Sequence, residues 1–227
     1  KQEFNFHLKD STNVTQAAIT EHHTPVEDTT TGLNSRKLLM WAFLGSDVMF
    51  FGAFIATYLV YRGKSLVGPY PSEVLNIPIT TVSTFVLLMS SLAMVLALHY
   101  VKEGEKNKGT LWILMVVVLG AIFMGFQFVE FREFAHLGLT PRTNIFGTTF
   151  FILTGIHGAH VTIGVIWMAF LAYSSHNGAL RADNALDLEI AGLYWHFVDI
   201  VWIVIFTVIY LISANDTPPP GMESILH

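Results

Sequence analysis

The residues of this sequence best placed to do chemistry are ionisable side chains set inside or at the ends of long apolar runs, and they form four groups. Asp47 lies among Phe43, Phe50, Phe51 and Phe54 at helical spacing. His157 and His160 are three residues apart, as are His196 and Asp199, which Trp195 and Trp202 flank. His99 and Glu130 close their runs, where an ordinary interfacial position facing water accounts for both. An ionised side chain at the middle of a bilayer costs about 2.5–3.5 kcal/mol on insertion scales, so each of the first three groups needs a partner or a purpose. Asp47 reads either as a proton-exchanging carboxyl or as a neutral acid hydrogen-bonded across a helix interface. His157 and His160 share one helical face and are expected to address one neighbour. Imidazole is the commonest metal ligand and suits iron and copper, so a metal or haem site is one reading of that pair. Interhelical hydrogen bonding is the preferred one. His196 and Asp199 are spaced to satisfy each other within a single helix.

The elements that position these groups follow from the length of the apolar runs. Runs at about 38–61, 79–101, 111–131, 146–173 and 190–212 are each long enough to cross a hydrocarbon core of about 30 Å at about 1.5 Å per residue. A β-barrel is excluded, because its strands alternate apolar and polar over about ten residues whereas these runs are continuous. The expected fold is all-α, a polytopic membrane bundle of five transmembrane helices spanning 36–213, with a polar tail at 1–35 and a short polar tail at 214–227. Residues 1–36 hold no apolar core of signal-peptide length, so the first run is expected to be a mature span. Small residues recur in the spans, Gly45 with Gly52 and Ala56, and Gly155 with Gly158 and Ala159, and are expected to let helices approach closely.

Arg36, Lys37, Lys102, Lys106, Lys108 and Arg181 fall on one side of such a bundle, and Arg62, Lys64, Arg132 and Arg142 on the other. The bias toward basic residues inside places the N-terminus in the cytoplasm and the C-terminus outside. On that topology His160 lies about 20 Å from the inner end of its span and His196 about 10 Å from that of its own, a mismatch that argues against a bis-histidine haem.

Composition narrows the function classes further. Apolar residues make up 52% of the 227 and charged ones 13%, against about 25% charged in a soluble domain. Mean hydropathy is +0.53 despite the polar start. A net charge of −5 with no basic run provides no phosphate-neutralising surface, which excludes a nucleic-acid partner. Cysteine is absent, so disulfides, thiolate nucleophiles and iron–sulfur clusters are excluded, and a metal site would rest on histidine and carboxylate. A proton-coupled transporter would show inverted repeats, and the sequence has no internal repetition.

Two longer strings carry a resemblance. "FGTTFFILTGIHGAHVTIG" from Phe146 to Gly164 and "YWHFVDIVWIVIF" from Tyr194 to Phe206 resemble subunit III of the haem–copper respiratory oxidases, in its short five-helix bacterial form. "GSDVMFFGAFIATYLVYR" in the first span, the Ser/Leu-rich second span ending at His99, and "QFVEF" with Gln127 and Glu130 agree more weakly. The similarity runs from about Leu38 to Ser213, and the tails add nothing to it. Such a resemblance implies a subunit without haem or copper of its own, those centres lying in partner subunits. It implies a chain packed on subunit I, associated with further subunits including subunit II, holding phospholipid, and sitting in a bacterial plasma membrane. Arg36 and Trp41 at the inner end of the first span are the candidates for lipid contact. In the family this subunit supports proton uptake by subunit I and protects the oxygen-reducing centre during turnover. Many members carry glutamate where this chain has Asp47, and the shorter side chain alters reach while keeping acidity. Subunit III of a cytochrome c oxidase is the leading reading; the quinol-oxidase form and a haem-binding membrane cytochrome are the alternatives.

Overall fold

The computed structural model describes residues 34–65, 68–178, 180 and 185–213. The two polar tails expected at 1–35 and 214–227 therefore lie almost wholly outside the described residues. The chain divides into two compact units, 1–42 and 43–227. Of the first, only the opening turns of a helix are described. Asn34 caps them, its Oδ1 accepting from the Arg36 N–H at 3.0 Å, which satisfies one of the donors that every helix start leaves open.

Five helices are long and apolar enough to cross a membrane. They are α1 (Ser35–Tyr61), α3 (Ile77–Lys102), α4 (Lys106–His136), α5 (Ile145–His176) and α6 (Ala185–Ile205), the last continued by a π-helical turn, Phe206–Ile212; a four-residue α2 (Pro71–Val74) precedes α3. The expected count of five spans holds, and α3 and α5 begin at polar caps that hydropathy alone does not register. Asn76 Oδ1 accepts from Ile79 N–H at the start of α3, and Asn144 Oδ1 accepts from Gly147 N–H at 2.7 Å at the start of α5. α3 and α4 turn back on each other through Gly104, and α4 leads to α5 through Gly138. Both glycines have positive φ, 77° and 84°, which a β-carbon disfavours.

Within the second unit α4 packs between α3 and α5, and α6 closes against α3 and α5. The centre of this packing is Trp195. Its indole N–H donates to Ser90 Oγ on α3 at 3.0 Å, and its ring fills the hollow left by Gly120 on α4 and Gly164 on α5. A β-carbon at either glycine would lie 2.8 Å from that ring. Trp202, two turns further along α6, repeats the arrangement by donating to Thr84 Oγ1 at 2.9 Å. The glycines expected to mediate close approach are mostly different ones. Gly45, Gly52 and Gly155 face open space, and of that set Gly158 alone is used, against the Gln127 amide. Recurrence of small residues marks where helices can approach, but only a large side chain supplied by another helix decides where they do.

α1 and α6 are opposites in burial. α1 buries Leu44, Asp47, Phe51 and Tyr58, a single narrow stripe. α6 buries twelve of its 21 residues and turns nearly every face to protein.

Candidate functional site

Asp47 is the one acid in the buried stripe of α1, and it is 9% exposed. Its Oδ2 lies 3.6 Å from Nε2 of His160 on α5. His160 Nδ1 is 2.9 Å from the Ile156 carbonyl, one turn back on its own helix. A carbonyl can only accept, so Nδ1 carries a proton and Nε2 is the atom turned to the acid. At 3.6 Å Asp47 Oδ2 has no hydrogen-bond partner among the described residues, so the acid and the imidazole face each other across the α1/α5 contact without a bond. Phe51 covers the imidazole edge-on at 5.0 Å between centroids, and Tyr194 of α6 ties down the same turn by donating to the His160 carbonyl at 2.9 Å.

His157 does not share that neighbour. It is fully buried, with Nε2 3.3 Å from the Val198 carbonyl of α6 and its ring stacked on Trp202 at 4.8 Å. Phe123 of α4 meets it edge-on. Residues three apart on a helix differ by about 60° in direction, and at this junction that angle separates α1 from α6. The expectation that both imidazoles address one partner is corrected accordingly.

His196 and Asp199 are likewise not each other's partner. His196 Nδ1 lies instead 2.7 Å from Oγ of Ser91 on α3, and both Asp199 carboxyl oxygens are buried with no hydrogen-bond partner among the described residues. Asp199 is 3% exposed. Glu130 also departs from expectation. It is not a water-facing residue but is 8% exposed, accepting from Thr80 Oγ1 of α3 at 2.8 Å beside the buried Tyr210 of the π-helical turn. His99 is exposed at the end of α3, its ring against Tyr100, remote from the other candidates in kind and contact. Arg36 and Trp41 are exposed. Among the described residues no group of three or more His, Asp or Glu could hold a metal ion.

Sequence reasoning passed over the partners: Thr80, Ser91, Tyr194 and Tyr210. A signal existed in α3, where Thr80, Ser83, Thr84, Ser90 and Ser91 recur along one stripe of an otherwise apolar helix. Such hydroxyls are what an acid, an imidazole or an indole on a neighbouring membrane helix bonds to.

A polytopic helical membrane protein with acids and imidazoles buried among its helices is the class that this fold and these sites define. Residues 7–214 match the family described as cytochrome c oxidase subunit III, and the chain belongs to that family. The match reaches well into the N-terminal tail, which the string similarity had left out. Among similar proteins, cytochrome c oxidase subunit 3 of Bacillus sp. (strain PS3) is 37% identical over 83% of this chain and 91% of the relative. A probable quinol oxidase subunit 3 of Staphylococcus saprophyticus is 37% identical over 79% and 90%. Its counterpart in Staphylococcus aureus (strain USA300) is 35% identical over 78% and 89%.

Proposed function

We propose that this chain is the non-catalytic subunit III of a proton-pumping haem–copper terminal oxidase, packed on subunit I within a bacterial plasma membrane with its N-terminus in the cytoplasm. It works by stabilising subunit I and supporting proton uptake there. Haem and copper belong to the partner subunits. Family membership carries the reading, and the Asp47–His160 pair gives it a physical basis. In this reading one proton serves the acid and the imidazole in the thinly covered stripe of α1, the position from which a proton can be handed on at little cost.

Bound phospholipid is part of the same reading. A groove of about 400 Å³ runs between α1 and α5, lined by Phe54, Thr57, Tyr61, Ile145, Thr148, Thr149 and Ile152. Its threonine hydroxyls donate to backbone carbonyls: Thr57 to Ala53, Thr148 to Pro141 and Thr149 to Ile145. Methyl groups and aromatic rings are left as the lining, which suits an acyl chain. Arg36 and Trp41 mark a second, headgroup-level contact.

Relatives named for cytochrome c and for quinol oxidases are equally similar to this chain, so the donor is read from the assembled enzyme, supplied in turn with each. The test of the proposal is Asp47→Ala in the assembled oxidase, with oxygen consumption followed over many turnovers. The expected result is a normal assembly that loses activity sooner during turnover. Unchanged rate, pumping and lifetime would remove the proton role.

A further inference from the structure

Two acceptor atoms inside the bundle have no donor to answer them. Gln127 Nε2 on α4 donates to the Thr154 carbonyl of α5 at 2.9 Å. That bond fixes which end of the amide is nitrogen and leaves Oε1 as the acceptor. Oε1 is buried and has no hydrogen-bond partner among the described residues. His157, three residues on from Thr154, repeats the pattern. Its Nε2 lies 3.3 Å from the Val198 carbonyl of α6 and therefore carries a proton. The ring is fully buried, and no acid is paired with it among the described residues. A charge so placed is costly, so the ring is neutral and its buried Nδ1 is a lone pair with no donor.

Both atoms belong to one junction of α4 and α5. The Gln127 amide lies on Gly158, the residue after His157, where a β-carbon would stand 3.3 Å from both Oε1 and Nε2. Phe123, one turn before Gln127 on α4, meets the His157 ring edge-on at 6.0 Å between centroids. Donors on the adjoining turns are already spent. Thr154 donates to the Phe150 carbonyl at 2.7 Å, Thr162 to the Gly158 carbonyl at 2.8 Å, and the Trp202 indole to Thr84 Oγ1 at 2.9 Å. His157 lies about 18 Å along α5 from Ile145, a depth at which hydrocarbon offers no donor either.

We propose that one internal water molecule sits between α4 and α5, donating one O–H to Gln127 Oε1 and the other to His157 Nδ1. Two unanswered acceptors at one junction call for a small ligand with two donors and no charge, which describes water. A cation would come without a carboxylate to balance it, and among the described residues no group of three His, Asp or Glu could hold a metal ion. Buried waters are ordinary parts of folded proteins, about one per 27 residues, and they bind where buried polar groups lack partners. This one ties α4 to α5 and, through the imidazole, to the Val198 turn of α6. The inference stands whether or not the chain serves an oxidase.

The test is a structure of the assembled complex, or of the purified chain should it stand alone, at a resolution that shows ordered water within the membrane region. The expected result is a water peak within about 3.2 Å of both Gln127 Oε1 and His157 Nδ1. A dry junction where waters are visible elsewhere in the interior would overturn the proposal. So would a peak that reaches only one of the two atoms, or a protein donor bound to either. Gln127→Met, close in shape but without the amide, is expected to lose the peak while α4 and α5 keep their places, and an unchanged peak in that variant would contradict the assignment. Should the variant not assemble, the wild-type density decides.

Discussion

Asp47 and Asp199 are both aspartates within apolar helices, yet the helices that carry them treat them differently. Asp47 belongs to α1, which buries one stripe and leaves its other faces open, and its Oδ2 faces the His160 imidazole at 3.6 Å. Asp199 belongs to α6, which buries twelve of its 21 residues, and both of its carboxyl oxygens are buried with no hydrogen-bond partner among the described residues. The same residue type thus stands opposite an imidazole at the loosely covered edge and with both carboxyl oxygens unpaired in the packed centre.

Truncating the central wedge should sharpen this contrast most. Trp195→Ala, which empties the hollow between Gly120 and Gly164, is expected to cost about 3–5 kcal/mol, whereas Met49→Ala on the open face of α1 stays within about 0.5 kcal/mol. Unfolding of the purified protein in mixed detergent measures both. Gly164→Val comes next, at about 1–3 kcal/mol, because the added atoms meet a ring that Ser90 holds in place. Gly52→Ala, facing open space, should change little. A Gly52 effect as large as that of Gly164 would break the distinction between edge and centre.

A smaller effect is expected at Glu130. Glu130→Leu removes the bond to Thr80, whose hydroxyl keeps the Asn76 carbonyl as an acceptor at 3.0 Å, and should cost about 0.5–1.5 kcal/mol, while Glu130→Gln keeps an oxygen there and should cost less. Equal losses in the two variants would show that shape, not the hydrogen bond, is what the site requires. Tyr194→Phe removes one donor to the His160 carbonyl and is expected to cost about 0.5–1.5 kcal/mol, with a larger share of its effect on turnover lifetime than on unfolding.

Span number and the unusual standing of Asp47 and Asp199 were legible in the sequence because hydropathy and length fix what can cross a bilayer, and a lone carboxyl in such a run stands out. Partner choice was not legible. Helical spacing places His157 and His160 60° apart, but whether that angle falls inside one neighbour or across two depends on where α1 and α6 pack. Glu130 read as interfacial because it ends an apolar run; its burial is decided by Thr80, fifty residues earlier, and by the π-helical turn around Tyr210. Glycine spacing suggested close approach at Gly45, Gly52 and Gly155, yet the tight contacts form where Trp195 arrives from another helix. In each case the missing term is a contact distant in sequence.

The Asp47–His160 pair is tested most directly by a double-mutant comparison in the assembled oxidase, using Asp47→Asn, His160→Gln and the two together, with catalytic lifetime read from oxygen consumption. If one proton serves both groups, either single variant shortens lifetime and the double variant is no shorter-lived than the worse single one. Lifetimes that fall independently and multiply in the double variant, or that match the unaltered enzyme throughout, would contradict the shared proton.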